Sequence, residues 1–293
     1  MTKLEIFIPA YGPSPYLEEC LISVLKNDQI EFSCTVIDDC SPDSEIFDTV
    51  NKFSNSVKYV RNPINLGLSA NFQNAFELSA ADFTVVMGSD DRLHPNFVNN
   101  MVEAISEFPD VFLIHPYVNV IDENGLDIST AVDYIKRLLF PKSDKPRNIK
   151  SQSALTRILI GDWMYFPSIA WNTSEIRQYQ LDATLKSAVD LDLLVRICAA
   201  DNEFLVLPKT IFDYRRHKES VSSQLLLDST RIIEELGIHI EAAKQLRSKR
   251  HYAKALLALI APTVRIHAIK VALFDAKGLT LRLKAFGLAL KIR

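Results

Sequence analysis

The sequence predicts an α/β fold built on a mainly parallel sheet flanked by helices, with a helical extension at its C-terminal end. Short apolar runs recur at Leu4–Pro9, Phe32–Ile37, Val57–Val60 and Phe83–Met87. Segments with apolar residues at helical spacing separate them, and strands alternating with helices of about 10–15 residues read as βαβ units. Each run stops in a polar or acidic loop. A βαβ arrangement gathers such loops outside the carboxyl ends of the strands, where open α/β sheets carry their chemistry.

The first strand ends in Ala10-Tyr11-Gly12-Pro13-Ser14, and Pro15 opens a helix with Leu17, Leu21, Val24 and Leu25 at helical spacing. The second stops at Asp38-Asp39-Cys40-Ser41-Pro42-Asp43, a loop rich in capping groups as well as acid. The third runs into Arg61-Asn62-Pro63 and Asn65-Leu66-Gly67, which taken alone is a plain turn. Phe72, Ala75, Phe76 and Leu78 mark the next helix, and the fourth strand ends in Gly88-Ser89-Asp90-Asp91. Pro95 suits the first turn of a helix to Glu107, where its missing N–H would lack a partner anyway. A strand over Val111–His115 follows, and the turn Asp122-Glu123-Asn124-Gly125 closes the first half.

Residues 128–160 show no regular pattern, and the basic segments Lys136-Arg137 and Lys142–Arg147 read as a mobile loop near an acceptor. Trp163 and Phe166 in Gly161–Pro167 suit either sugar stacking or a core. Val189 opens a helix to about Ala200, where Asp190 and Asp192 are favoured by the macrodipole whatever their function. Thr210–Tyr214 reads as a strand, followed by Arg215-Arg216-His217.

With 293 residues, 48% hydrophobic and 24% charged, the composition is that of a soluble globular protein with ample core. Cys20, Cys34, Cys40 and Cys198 form no CxxC pair, so reduced thiols and a cytoplasmic setting are expected. Glu5 interrupts the first apolar run, which argues against a signal peptide, and no apolar stretch reaches the ~18 residues of a spanning helix. Charge is divided unevenly. Lys244–Arg293 holds twelve Lys or Arg against Asp275 alone, a local +11, which leaves −14 for residues 1–243 of the total −3. His251–Ile260 is apolar up to a break at Pro262, and Leu279, Leu283, Phe286 and Leu290 continue a stripe in which alternation leaves strand open. A basic amphipathic tail suits an anionic membrane surface. A helical subdomain packed on the catalytic unit is the other reading. No nucleic-acid partner is expected, because no recognised module is present.

Two adjacent carboxylates at a strand end can hold Mg²⁺ or Mn²⁺. The loop after the first strand lacks G-x-G-x-x-G, and no Walker A motif occurs. A phosphate pocket relying on a metal remains.

The runs I-P-A-Y-G at Ile8–Gly12, I-D-D-C-S-P-D at Ile37–Asp43, N-L-G at Asn65–Gly67 and S-D-D at Ser89–Asp91 are followed by V-D-L-D-L-L-V-R-I at Val189–Ile197 and Y-R-R-H at Tyr214–His217. In this order they resemble family 2 glycosyltransferases of the GT-A fold, a Rossmann-like sheet, over roughly residues 4–222. The resemblance implies a catalytic domain at 1–222, its nucleotide-binding half at 1–125 and acceptor-binding half at 126–222, with a basic, mostly helical extension at 223–293. It places Pro9 and Tyr11 beside a nucleotide base, and Asp39 with Asp38 as acceptors for the N–H of a uracil-type base. It adds Asn65 and Gly67 to the donor site and sets Asp90 near the ribose. Asp91, supported by Asp90, coordinates Mn²⁺ or Mg²⁺, His217 closes over the diphosphate or metal, and Arg216 pairs with phosphate. Asp190 becomes the base that takes the proton of the acceptor hydroxyl.

Two positions depart from the family pattern: Gly88 stands where an aspartate is usual, and Val189 where an acid often precedes the base. The implied activity is metal-dependent, inverting, hexosyltransferase-type transfer from a nucleotide-diphosphate sugar, expected to be a UDP-sugar, to a hydroxyl of a glycan or lipid-linked saccharide. Its implied setting is surface polysaccharide biosynthesis at the inner face of the cell membrane. A nucleotidyltransferase and a non-catalytic nucleotide-sugar-binding module stay open as alternatives.

Overall fold

The computed structural model describes residues 3–217 and 230–271, together with Leu273 and Gly287. Strands β1 (Leu4–Ala10), β2 (Ser33–Asp38), β3 (Val57–Arg61) and β4 (Phe83–Val86) form a parallel block in the order β3-β2-β1-β4. Helices α1 (Leu17–Leu25), α2 (Glu45–Asn51) and α3 (Leu68–Leu78) connect them. β1, β2 and β4 are buried almost throughout, which is why they read as unbroken apolar runs rather than alternating ones. Register aligns their ends: Ala10 lies beside Asp38, Asp38 beside Arg61, and Met87 follows β4 with its N–H on the Phe7 carbonyl at 3.0 Å. The loops after the four strands therefore share one edge.

The second half departs from the expected parallel sheet. β5 (Arg92–Leu93) and α4 (Phe97–Glu107) lead into β6 (Leu113–Ile121). Then follow α5 (Ala131–Leu139), β7 (Arg147–Lys150), α6 (Ser151–Ile160), β8 (Ala170–Asn172) and the short α7 (Thr173–Ile176). α8 (Val189–Cys198) and β9 (Glu203–Arg215) complete this half. β8 enters antiparallel between β4 and β6, β5 and β7 pair antiparallel with β9, and only β6 with β9 is parallel, across a bulge near Tyr117. The sheet is thus mixed. β9 is also much longer than the expected Thr210–Tyr214, because a bulged partner lets it run the length of β6.

Residues 128–160, irregular in sequence, hold α5, β7 and α6: Lys136-Arg137 lies within α5, while residues 141–146 of the expected basic loop do form the connection from α5 to β7. Thr130 and Asp133 form a capping box that starts α5. Its apolar residues Val132, Tyr134 and Leu138 face solvent while Asp133 is buried, so the helix has no inward apolar stripe to betray it. Trp163 and Phe166 are core residues, packed with Phe140, His115 and Trp171, and Trp163 is wholly inaccessible.

Among the described residues, helices α9 (Thr230–Ser248), α10 (Tyr252–Ile260) and α11 (Pro262–Lys270) follow. Ile238, Ala242, Ala243, Leu246, Ala255 and Ala258 join one hydrophobic cluster with Leu191 and Leu194 of α8 and Leu155 and Ile158 of α6. The core therefore runs through the expected 222/223 boundary. Against expectation, Tyr252–Lys270 is long and apolar enough by composition to cross a bilayer. Left-handed Ala261 (φ 41°) followed by Pro262 breaks it into two helices. The stripe at Leu279, Leu283, Phe286 and Leu290 lies outside the described residues.

Asp213 ties the β5–β9 junction together, accepting from Arg92 Nε (2.8 Å) and Asn119 Nδ2 (3.1 Å), with His94 Nε2 at 2.9 Å. Burial alone would raise its pKa, but the hydrogen bonds from His94, Arg92 and Asn119 hold it down to about 2. A depressed carboxylate stabilises the fold fully above its unfolded pKa of 3.8 and loses that contribution as pH falls toward 2. Asp213→Ala should cost about 1.5–3 kcal/mol by removing an acceptor shared by Arg92, which keeps Glu19, and by His94 and Asn119, measured by urea unfolding at pH 7. The difference from the parent should shrink as pH is lowered through this window.

Candidate functional site

The described residues place the acidic ends of β2 and β4 on the shared sheet edge, but in different roles. Asp38 is fully buried: Oδ1 accepts from Ser41 N (2.8 Å), and Oδ2 from Tyr59 Oη (2.6 Å) and from Arg61. Burial would raise its pKa, yet these bonds hold it below the usual value. Asp38 is therefore a brace between β2 and β3, a correction to its expected place at the base. Asp39 is also buried and accepts from Asn62 Nδ2, Leu66 N and Gly67 N, each at 2.8 Å. Its carboxylate shapes the Asn65–Gly67 loop, where Gly67 at φ 81° turns the chain into α3 and Asn65 Oδ1 accepts from Gly67 N at 3.0 Å. Neither α2 nor α3 takes a side-chain cap at its N-terminus, so the acids of this loop hold turns rather than cap a helix. Pro9 and Ala10 end β1 as buried residues, and Tyr11 beyond them is 59% exposed.

Asp90 and Asp91 converge. A Cβ placed on Gly88 would lie 2.5 Å from Asp90 Oδ1 and 2.9 Å from Asp91 Oδ2, so both carboxylates turn over this residue. The departure at position 88 follows from that packing, since any side chain there would displace them. Asp91 is buried, accepting from Arg215 N (3.0 Å) and Gly88 N (3.3 Å). Burial and the neighbouring Asp90 push its pKa well up despite these bonds. Asp90 Oδ2 lies 2.8 Å from His217 Nε2, and the His217 ring lies 5.1 Å from that of Tyr16.

Arg215, which the sequence reading passed over, is the anchor. Its side chain is buried, with Nε on the Asp90 carbonyl (2.7 Å), Nη2 on Glu19 (2.6 Å) and the guanidinium 4.6 Å over the Tyr16 ring. Antiparallel pairing of Arg92 with Asp213 brings it there, because that register carries residues 215–217 past Asp90 and Asp91. Arg216 points elsewhere: it is paired with Asp133 of α5 at 2.6 Å.

Asp190 lies in the first turn of α8 with Oδ1 on Leu191 N at 2.9 Å. Burial and Asp162 raise its pKa, while Arg231 and Lys136 oppose them. Desolvation outweighs the helix dipole, which is worth about 0.3–1 kcal/mol. A carboxylate raised in this way holds a proton better than a free one, as a general base requires. Lys136 Nζ is set by the Met164 carbonyl (2.7 Å), Asp162 Oδ2 (3.4 Å) and the Tyr165 ring (4.5 Å). Burial with Asp91 and Asp90 raises the pKa of Tyr214 to about 12. Lys136 and Tyr214 lie in segments that the sequence singles out, Lys136-Arg137 and Tyr214–His217, whereas Asp162 and Arg231 carry no signal beyond their residue types.

Among the described residues no three His, Cys, Asp or Glu converge as a ready-made metal centre. The Asp90–Asp91 pair is nonetheless a set of hard oxygen donors with unfavourable like charge, which fits a divalent cation whose other ligands come from phosphate and water. A separate groove of about 520 Å³ at the β3 edge, lined by Phe32, Phe47, Asn51 and Tyr59 among others, contains none of these residues.

A mixed α/β sheet with acidic strand ends gathered on one edge, and a carboxylate-bearing helix in the second half, is the architecture of GT-A enzymes. The family model described as Glycosyl transferase family 2 matches residues 5–166, more than half of the chain. The chain belongs to that family and is a glycosyltransferase. It is 20% identical over 206 residues to an uncharacterized glycosyltransferase of Methanocaldococcus jannaschii, covering 69% of this chain and 67% of the relative. It is 30% identical over 120 residues to the poly(ribitol-phosphate) beta-N-acetylglucosaminyltransferase TarS of Staphylococcus aureus, covering 39% of this chain and 21% of that one. The structure of S. aureus TarS 1–349 in complex with UDP-GlcNAc has a TM-score of 0.71 at 17% identity, covering 99% of this chain and 82% of that one. A mannosyltransferase from Pyrobaculum calidifontis in complex with GDP-Man and Mn²⁺ has a TM-score of 0.62 at 15% identity, covering 98% and 80%. At such identities the likeness establishes the fold.

Gly88 provides a direct check on the carboxylate pair. Gly88→Ala and Gly88→Asp meet only the mobile ends of Asp90 and Asp91, so thermal stability should change little. Mn²⁺-dependent binding of a nucleotide sugar, followed by calorimetry, should weaken by about tenfold or more, roughly the 1.4 kcal/mol of one displaced polar contact. Gly88→Asp should not improve it, although it restores the usual family pattern.

Proposed function

We propose that this protein is a metal-dependent inverting glycosyltransferase that moves a sugar from a nucleotide-diphosphate donor, a UDP-sugar first, to a hydroxyl of a glycan or lipid-linked saccharide. The observation that carries this reading is the convergence of Asp90 and Asp91 over Gly88, with His217 Nε2 2.8 Å from Asp90 Oδ2. TarS binding UDP-GlcNAc and the mannosyltransferase binding GDP-Man with Mn²⁺ support the donor class. Asp90 and Asp91, with His217 beside them, would hold Mn²⁺ or Mg²⁺, which when bound neutralises charge on the departing diphosphate. Tyr11 offers a face for the base. Asp190 takes the acceptor proton as its oxygen attacks the anomeric carbon.

Incubation with UDP-, GDP- and dTDP-sugars plus Mn²⁺ should release nucleoside diphosphate. Pyrophosphate release would instead mark a nucleotidyltransferase, and binding without turnover a non-catalytic module. Asp190→Asn should lower kcat by ~10²–10⁴ with donor affinity nearly unchanged. In the parent, kcat should fall on the acid side at a pH above the ordinary 3.8 of an aspartate, because the pKa of Asp190 is raised. Full turnover by Asp190→Asn would remove it as the base.

We further propose that the enzyme works at the cytoplasmic face of a membrane, in surface polysaccharide synthesis. Tyr252, Leu256 and Ile260 on α10 and Ile266 and Ile269 on α11 are 39–63% exposed, and Lys244, Arg247, Lys249 and Arg250 are exposed at the preceding turn. Apolar side chains inserted at the headgroup boundary beside basic ones, each worth about 1 kcal/mol at an anionic leaflet, suit that surface. The chain should float with anionic liposomes and less with neutral ones, and Leu256→Glu with Ile266→Glu should abolish flotation. Equal behaviour on both lipids would argue against this attachment.

A further inference from the structure

The C-terminal helix α9 grips the segment that delivers Asp190. Glu234 accepts four hydrogen bonds from it: Oε1 from Lys186 N (2.8 Å), and Oε2 from Ser187 N (3.0 Å), Ala188 N (3.1 Å) and Ser187 Oγ (3.2 Å). Three consecutive backbone N–H groups on one carboxylate immediately precede α8. The residue at its N-cap, Ala188, has no side chain able to cap, so a carboxylate from another helix supplies the negative charge that a helix start favours. Asp190 follows two residues later with one oxygen already on Leu191 N.

Arg231, three residues before Glu234, is held by Glu235 at 2.8 Å, and Asp192 of α8 by Arg196 at 2.7 Å. Glu234 is thus a direct tie between α9 and the start of α8.

We propose that Glu234 of α9 is a positioning residue for the glycosyl-transfer base, setting the backbone turn that carries Asp190. The inference rests on the reading of Asp190 as that base. It makes the extension part of the catalytic unit, because a chain ending before α9 would present Asp190 on an uncapped helix start.

The full chain carrying Glu234→Ala or Glu234→Gln tests this. Probes are UDP-GlcNAc and GDP-mannose with Mn²⁺, read as nucleoside diphosphate release and as donor Kd, with hydrogen exchange of residues 186–191 alongside. Glu234→Ala should speed exchange at 186–188 and lower kcat ~10–100-fold, the scale of a base misplaced by about 1 Å, with donor Kd within threefold. Glu234→Gln, which keeps one acceptor oxygen, should fall between it and the parent. Turnover of Glu234→Ala within twofold of the parent, or a fall in donor binding that matches the fall in kcat, overturns the role of Glu234. If Asp190→Asn keeps full turnover, the base assignment fails and this inference with it. If only Asp190→Asn is inactive, the base stands and the positioning role alone is lost. Where neither donor turns over, unchanged exchange at 186–188 in Glu234→Ala overturns the proposal, and faster exchange confined to 186–191 supports it.

Discussion

Two carboxylates at one strand end are the constraint on which the rest of the molecule depends. Unit charges 4 Å apart repel by about 4 kcal/mol at the effective dielectric near a protein surface, and burial worsens it. Asp90 and Asp91 are nevertheless held together over Gly88, with Asp91 out of contact with water. Their support comes from β9. The Arg215 backbone N–H meets Asp91, its guanidinium meets the Asp90 carbonyl, and its buried charge is matched by Glu19. That arrangement exists only because β5, two residues long, pairs antiparallel with the end of β9, and Asp213 with Arg92 and His94 pins the junction. The parallel half of the sheet presents the acids, and the mixed half makes their proximity tolerable.

The same division governs the second carboxylate site. Asp190 is desolvated by its setting in α8 and pushed further by Asp162, with Lys136 and Arg231 reaching it from α5 and α9. Each of these groups is fixed by partners of its own: Lys136 by Met164 and Tyr165, Arg231 by Glu235. The net effect is a carboxylate less acidic than a free aspartate. β9 itself carries Asp213 and Arg215, so one strand fixes both the β5 junction and the support of Asp91.

Much of this was legible in residue order. Unbroken apolar runs named β1, β2 and β4, because strands buried on both faces leave no room for polar alternation. Pro262 marked the break between α10 and α11, Pro95 stands just before the N-cap of α4 rather than in its first turn, and the Asp122–Gly125 turn appeared where expected. Asp90, Asp91 and His217 came together as their motif order implied. The helix α5 escaped notice because its apolar residues point outward and its buried member is Asp133. Trp163 and Phe166 were ambiguous, since an aromatic cluster has the same composition in a core as on a sugar platform.

By itself, then, the sequence determined the alternation of strands and helices and the edge on which the acidic loops gather, which depend on local pattern. Tertiary structure alone decided that Asp38 braces β2 against β3, that the Asp90 and Asp91 carboxylates turn over Gly88, and that Arg215 rather than Arg216 anchors the acidic pair. It also decided that α9 reaches back to the start of α8. These outcomes rest on partners distant in sequence, 124 residues for Arg215 with Asp91 and 46 for Ala188 with Glu234. No periodicity or motif encodes such distances: they follow from how β8, β5 and β9 enter one sheet, a matter of pairing and packing that only the folded chain expresses.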